Sequence, residues 1–381
     1  MILKTNILKA INSKTGDGFE PFYLYESRKI KEKCSIFQNI TYPNKSIHFA
    51  SMANINPQFL EIVKGEGLNI FVNSPLHLDA ALKAGFSGSE IIFTSSALSV
   101  KAMKNIESVG VLVNLDSLNQ LALWTQLFSR KAVGIRCNIG DYVKPYASHA
   151  GAFIGKESRL GFTHDEISRI PDKSIIKGLH LYVGTDVFNI RYFIDCYKEL
   201  IKIAVEFPNL EYLNFGGGFG VAENGDRQFD FEEYNKQVTK LMYEFSEKKG
   251  KSIKLILEPG RIIGGNAGYF VCCVSDIKNR PDKKLVGVNA STVQFSRPLL
   301  YPDTANHPVM IIRNGVQVTT GAMQLTTVYG CSTYSRDIFT DKAVLPELQI
   351  GDIVVLGNAG SYSASSYMQF LGFQKPEEYY L

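Results

Sequence analysis

The chain has 381 residues, 45% of them hydrophobic, and a formal net charge of +4. That length buries a large core and suits two domains, while a small charge not gathered into basic runs excludes nucleic acid as the main partner. No stretch reaches the roughly 18 to 20 apolar residues of a membrane span and no signal-peptide pattern opens the chain, so no membrane is expected and the cytoplasm is the expected location.

In chain order, the first β-rich run is Phe22–Tyr25. Eight more follow at Ser46–Ala50, Leu68–Val72, Ile91–Phe93, Val111–Asn114, Val133–Asn138, Gly178–Val183, Tyr212–Phe215 and Ile253–Glu258. Segments of helical period lie between them, such as Pro75–Ala84, Leu118–Phe128, Ile190–Glu206 and Phe231–Lys248. Eight strands, each with room for a crossover, predict a (β/α)8 barrel of the α/β class. After Arg261 the pattern changes to short strands with turns: Tyr269–Val274, Lys284–Val288, Val309–Arg313, Met323–Thr327 and Ile353–Leu356. The prediction is a barrel over residues 27–265 and an all-β domain from residues 1–26 and 266–381, with Phe22–Tyr25 belonging to the latter. The six cysteines (Cys34, Cys137, Cys196, Cys272, Cys273 and Cys331) form no CxxC pair, so neither a disulfide framework nor a metal site is expected.

Chemistry on such a barrel sits in the loops after the strands. The run Gly216-Gly217-Gly218-Phe219-Gly220 directly follows a strand, and glycines there let backbone amides approach an anion such as phosphate. A tight turn is the plainer reading, and a dinucleotide fingerprint is weaker because Val221 takes the last glycine position. Glu258-Pro259-Gly260-Arg261 ends the last barrel strand. The carboxylate could hold a pyridinium N–H and the guanidinium could grip phosphate, or the two could simply pair across the turn. In Gly178–Thr185, alternation places His180 and Tyr182 on one face, where an aromatic could stack on a flat cofactor or merely fill core. Arg297–Tyr301, Gly330–Thr333 and Gly360-Ser361-Tyr362 read as polar loops of the β domain.

Together and in this order, the glycine loop, EPGR, RPLLY, GC and GSY resemble the pyridoxal-phosphate-dependent ornithine, diaminopimelate and arginine decarboxylases, of the alanine-racemase-like barrel class. Phe22–Tyr25, Asn54-Ile55-Asn56-Pro57 and Ser158-Arg159-Leu160-Gly161 extend the likeness to nearly the whole chain. The resemblance implies a homodimer, paired head to tail, whose β domains complete shared active sites at the barrel mouths. It implies that Gly216, Gly217, Gly218, Arg261, Tyr362 and Thr185 hold the cofactor phosphate. Glu258 would pair with the ring nitrogen, and Arg297 would bind the substrate carboxylate, near Tyr301. Cys331 would reprotonate the decarboxylated carbon across the dimer.

Several features depart from that pattern. Tyr182 replaces a ring-stacking histidine, and Ser332 stands where an acidic substrate contact is usual. Cys331 and Asp337 lie further apart than the family's Cys-Asp/Glu-x-x-Asp spacing. The stretch from Leu285 to Leu381 looks most like decarboxylases of citryl-amino acids in siderophore assembly, with carrier-protein-linked or free diamino acids as other substrates. The family's Schiff-base lysine ends the first barrel strand, in a pattern such as Tyr-Ser-Met-Lys-Ala-Asn, whereas this chain reads Phe49-Ala50-Ser51-Met52-Ala53-Asn54. Either the lysine belongs between Met52 and Ala53, or Met52 has replaced it and the chain is an inactive cofactor-binding or regulatory pseudoenzyme. An amino-acid racemase is a third reading, disfavoured because racemases usually place arginine, not a residue such as Glu258, at the ring nitrogen.

Overall fold

The computed structural model describes residues 1–129, 131–146, 151–221 and 228–381. It separates into two compact units, one including Met1–Ile30 and Ile262–Leu381, the other Lys31–Gly220 and Gln228–Arg261. The first strand of the chain, β1 (Phe22–Tyr25), belongs to the former.

The second unit is a closed barrel of eight parallel strands. They are β2 (Lys45–Ala50), β3 (Asn69–Val72), β4 (Ile91–Thr94), β5 (Leu112–Leu115), β6 (Val133–Arg136), β7 (Ile176–His180), β8 (Tyr212–Asn214) and β9 (Lys254–Leu257), and β9 pairs with β2 to close the ring. The crossover helices start where their sequences supply caps. Ser74 accepts from the His77 amide ahead of Pro75–Lys83, and Asp230 accepts from the Glu233 amide ahead of Phe231–Lys249, which Gly250 ends at φ +65°.

Side chains of alternate strand residues fill the barrel in layers. Tyr212, Ile256 and Ile92 form the middle layer, joined by Phe71 and Leu112. The Tyr212 ring occupies space that only glycine leaves open: a Cβ at Gly134 or Gly178 would overlap it. Its hydroxyl donates to Asn114 Oδ1 (2.8 Å), and Asn114 Nδ2 donates to Thr94 Oγ1 (3.0 Å). Below this layer, at the amino-terminal ends of the strands, lies a cavity of about 330 Å³ lined by Ser46, His48, Asn69, Lys177, Glu211 and Lys254 among others. Two residues above the middle layer, at the carboxyl ends, stand Asn114, Arg136, His180, Asn214 and Glu258.

The first unit is built on a nine-stranded sheet. After β1 it contains β10 (Gly268–Asn279), β11 (Lys284–Val288), β12 (Val309–Arg313), β13 (Val316–Gln317), β14 (Met323–Tyr329), β15 (Ile338–Pro346), β16 (Ile353–Leu356) and β17 (Glu377–Tyr380). Long β10 is the spine: it pairs with β1, β16 and β11, and a bulge between Val274 and Asp276 lets it leave one set of partners for the other. Ile7 and Ile11, from the helix Thr5–Asn12, pack into the core beneath β1, β10, β12 and β16.

Three sequence expectations need correcting. The sixth barrel strand, β7, stops at His180, so Tyr182 lies in the following loop. The Arg297–Tyr301 segment is not a plain loop: Arg297–Leu300 is one helical turn with Pro298 in its first turn, where a missing N–H costs nothing. Strands β13, β15 and β17 had no recognised signal. Among the described residues, no helix is long and apolar enough to cross a membrane, no metal-binding cluster occurs, and all six cysteines are unpaired.

Candidate active site

At the carboxyl end of the barrel, β7, β8 and β9 each deliver a buried polar side chain to one network. Glu258 accepts from Asn214 Nδ2 at 2.6 Å and lies 3.2 Å from His180 Nε2. Burial opposes its ionisation, but the attraction of His180 and the bonds from His180 and Asn214 outweigh it, holding the carboxyl below its usual range. It is therefore an anion at neutral pH. The pairing of Glu258 with Arg261 considered from sequence does not occur, since Arg261 pairs with Asp186 instead.

The glycine loop is wedged between the loops after β7 and β9. A Cβ at Gly216, Gly217 or Gly218 would collide with the carbonyl oxygens of Leu181, Glu258 and Gly184 respectively, and Gly216 and Gly218 have φ of +64° and +99°. The turn thus needs glycine on packing grounds alone. It also does more: the Gly216 amide donates to Asn214 Oδ1, whereas the Gly217 and Gly218 amides donate to no atom among the described residues. Two successive amides left open at a strand end form an anion nest. Thr185 follows in the neighbouring β7 loop, and Arg261 opens the helical turn Arg261–Gly264 beyond β9, its guanidinium on Asp186. Tyr182 packs edge-on against Phe153 (centroids 4.8 Å apart) beside Gly216.

Sequence reasoning passed over Arg136, Asn214, Ser96 and Asp116 at this mouth. Arg136, the last residue of β6, has Nε and Nη2 buried without a partner, and burial lowers its pKa despite the nearby charges of Asp116 and Glu258. His180 Nδ1 is likewise buried without a partner. Ser96 donates to Asp116, and Arg159 Nη1 reaches Ser96 at 3.4 Å. The signal available was parity, the same that singled out His180, because Arg136 and Asn214 also follow interior positions by two residues.

The remaining expected residues belong to the β unit. Arg297 is buried, with its guanidinium 5.5 Å from the Tyr301 ring centroid. Tyr362 has φ +54° and follows Ser361, whose hydroxyl is buried without a partner. Cys331 is exposed, and local desolvation, then the charge of Asp337, push its thiol above the ordinary value. Ser332 serves Asp337: the buried carboxylate accepts from the Thr292 amide (2.6 Å) and hydroxyl (2.8 Å) and from the Ser332 amide (3.1 Å) and hydroxyl.

Comparison with known proteins gives the family. The family profile described as pyridoxal-dependent decarboxylase, pyridoxal binding domain, matches residues 27–265. The chain belongs to this family. The diaminopimelate decarboxylase of Methanothermobacter thermautotrophicus is 26% identical over 378 residues, covering 94% of this chain and 86% of that protein. Among solved structures, the diaminopimelate decarboxylase of Helicobacter pylori complexed with L-lysine superposes with a TM-score of 0.85 at 23% identity, over 98% of this chain and 93% of that one. The lysine/ornithine decarboxylase of Vibrio vulnificus complexed with cadaverine gives 0.84 at 18% identity, covering all of both chains. Family membership sets the cofactor, pyridoxal 5′-phosphate, and the reaction class, decarboxylation of an amino acid by a carboxy-lyase.

The residues present fit that cofactor. Two open amides and Arg261 suit a phosphate, ionised Glu258 suits a protonated ring nitrogen, and the buried unpartnered nitrogens of Arg136 and His180 await a polar guest. In the β unit, the decarboxylases' Cys-Asp/Glu-x-x-Asp spacing counted back from Asp337 falls on Thr333, two residues beyond Cys331.

Proposed function

We propose that this decarboxylase acts on an amino acid whose distal end is conjugated, with a citryl-amino acid of siderophore assembly as the favoured substrate, and that it works in the cytoplasm as a head-to-tail homodimer. One observation carries the substrate reading. In residues 330–337 the only carboxylate is Asp337, and it is buried and spent on Thr292 and Ser332. The exposed members of that loop are Cys331, Thr333, Ser335 and the cation Arg336. Such a loop offers nothing to a distal ammonium and favours an acidic tail.

In this reading Gly217, Gly218, Thr185, Arg261 and Tyr362 hold the phosphate and Glu258 keeps the ring nitrogen protonated. The ring packs against Tyr182. Arg297 binds the substrate carboxylate, and Cys331 delivers a proton in the neighbouring subunit's site. When bound, the cofactor supplies an electron sink for the pair released with CO2. A neutral thiol suits the donor role, and the raised Cys331 thiol is neutral at physiological pH. The test is CO2 release from citryl-amino acids set against free diaminopimelate, lysine and ornithine. Turnover of the conjugate alone supports the proposal, and a higher kcat/KM on any free diamino acid overturns it.

A further inference from the structure

Met52 lies in the Ser51–Ala53 turn that follows β2. Strand β2 pairs with β9, the strand leading to Glu258, and the Ala50 amide donates to the Pro259 carbonyl at 3.0 Å. The turn is thereby fastened beside the Glu258–Arg261 loop, at the rim where the phosphate nest and the ring-nitrogen partner stand. A cofactor aldehyde bound there needs a nearby lysine amine if it is to be tethered to the protein.

No barrel strand ends in a lysine. The strands contain three lysines, Lys45, Lys177 and Lys254, at the first position of β2, the second of β7 and the first of β9. All three stand at the amino-terminal ends, beneath the layer that Tyr212 fills, and Lys177 and Lys254 line the lower cavity. Lys144 and Lys156, in the loop after β6, are exposed. No lysine is among the buried residues. At the rim itself stands a half-buried thioether, which has no amine to condense with an aldehyde.

Resting on the reading of this mouth as a pyridoxal phosphate site, we propose that the protein holds its cofactor without a covalent bond, Met52 standing where a tethering lysine would close on the aldehyde. Retention then depends on the Gly217 and Gly218 amides, Arg261 and Glu258, and the cofactor is exchangeable. The incoming substrate's amino group is the first amine to reach the aldehyde. Its condensation expels one water, CO2 leaves, a proton is taken up at carbon, and release of the product amine consumes one water. The cycle balances without a lysine.

The experiment uses the full chain, first shown by equilibrium dialysis to bind pyridoxal phosphate. The loaded protein is reduced with borohydride in the absence of substrate, denatured, and weighed intact by mass spectrometry beside Met52→Lys. The expected result is unmodified mass for the native chain, equal to that of its 381 residues, and one reduced cofactor on the residue-52 peptide of Met52→Lys. A native chain that retains cofactor on any lysine, or whose unloaded mass exceeds the sequence by one lysine, overturns the proposal. A Met52→Lys chain that binds cofactor yet gains no adduct also overturns it, by removing residue 52 from the aldehyde. Absence of binding in the dialysis step overturns the cofactor reading itself, a failure distinguishable from the others because it precedes reduction. Should Met52→Lys not fold, the mass of the native chain still decides.

Discussion

Replacing Glu258 with glutamine separates a chemical role for this carboxylate from a structural one. The amide has the same shape, and its oxygen can keep the 2.6 Å bond from Asn214. Its NH2 group then faces His180 Nε2, which accepts once the ring proton sits on Nδ1, the nitrogen without a partner. Only charge assistance is lost from the fold, costing about 1 kcal/mol. The chemical loss is larger, because a neutral amide does not keep a ring nitrogen protonated. One charge-assisted hydrogen bond at the reacting centre is worth about 1.5 to 3 kcal/mol, or about 10- to 150-fold in kcat/KM. Glu258→Ala should behave differently: it leaves Asn214 and His180 buried without their partner, a cost of about 3 to 5 kcal/mol in stability. The assay is CO2 release alongside cofactor affinity by equilibrium dialysis. Full activity in a folded, cofactor-loaded Glu258→Gln variant would refute the reasoning and leave Glu258 a turn residue.

Other outcomes test neighbouring parts of the argument. Arg261→Ala should weaken pyridoxal phosphate binding by about 1.5 to 3 kcal/mol, and unchanged affinity by dialysis would remove it from the phosphate site. Mixing Cys331→Ala with Glu258→Ala should restore up to about a quarter of native activity if sites are shared between subunits, whereas no recovery despite subunit exchange would place Cys331 elsewhere. Burial pushes the His48 imidazole down to about 4, against about 6.5 in an unfolded chain. Between those values only the unfolded chain takes up the proton, so stability falls as pH drops through that window, by up to about 3 kcal/mol. Denaturation curves across the window should show this loss reduced in His48→Gln, and equal slopes in both proteins would count against it. Gly178→Ala should destabilise by about 1 to 3 kcal/mol or abolish folding, because its Cβ overlaps the Tyr212 ring. Adding Tyr212→Leu should recover part of that loss in a double-mutant cycle.

All eight barrel strands were legible because each is a short apolar run bounded by turn residues, and four of the helices between them, Pro75–Lys83, Leu118–Leu127, Ile190–Ala204 and Phe231–Lys249, declared themselves by period. The strands that escaped notice are weaker patterns. β13 is two residues long, β17 carries two glutamates, and β15 places Asp341 and Lys342 mid-strand on the solvent side. The site was legible where composition is unusual, as in the glycine run and Glu258–Arg261. It was not legible where partners come from distant segments. Nothing local announces that Asp186 will meet Arg261, or that Asp337 will spend its carboxylate on Thr292. Arg136 escaped for a different reason: a lone arginine at the end of a strand reads as surface until the barrel closes around it.

The ring of Tyr212 makes three positions heritable only as a set. While an aromatic side chain stands at 212, neither 134 nor 178 admits any residue with a Cβ, and a smaller residue at 212 leaves a void beneath Asn114. Lineages can therefore drift at the rim, where Met52 stands in the turn after β2, far more readily than in the floor beneath it. Aligned relatives should show glycine at 134 and 178 wherever 212 is aromatic, and correlated replacement of all three where it is not.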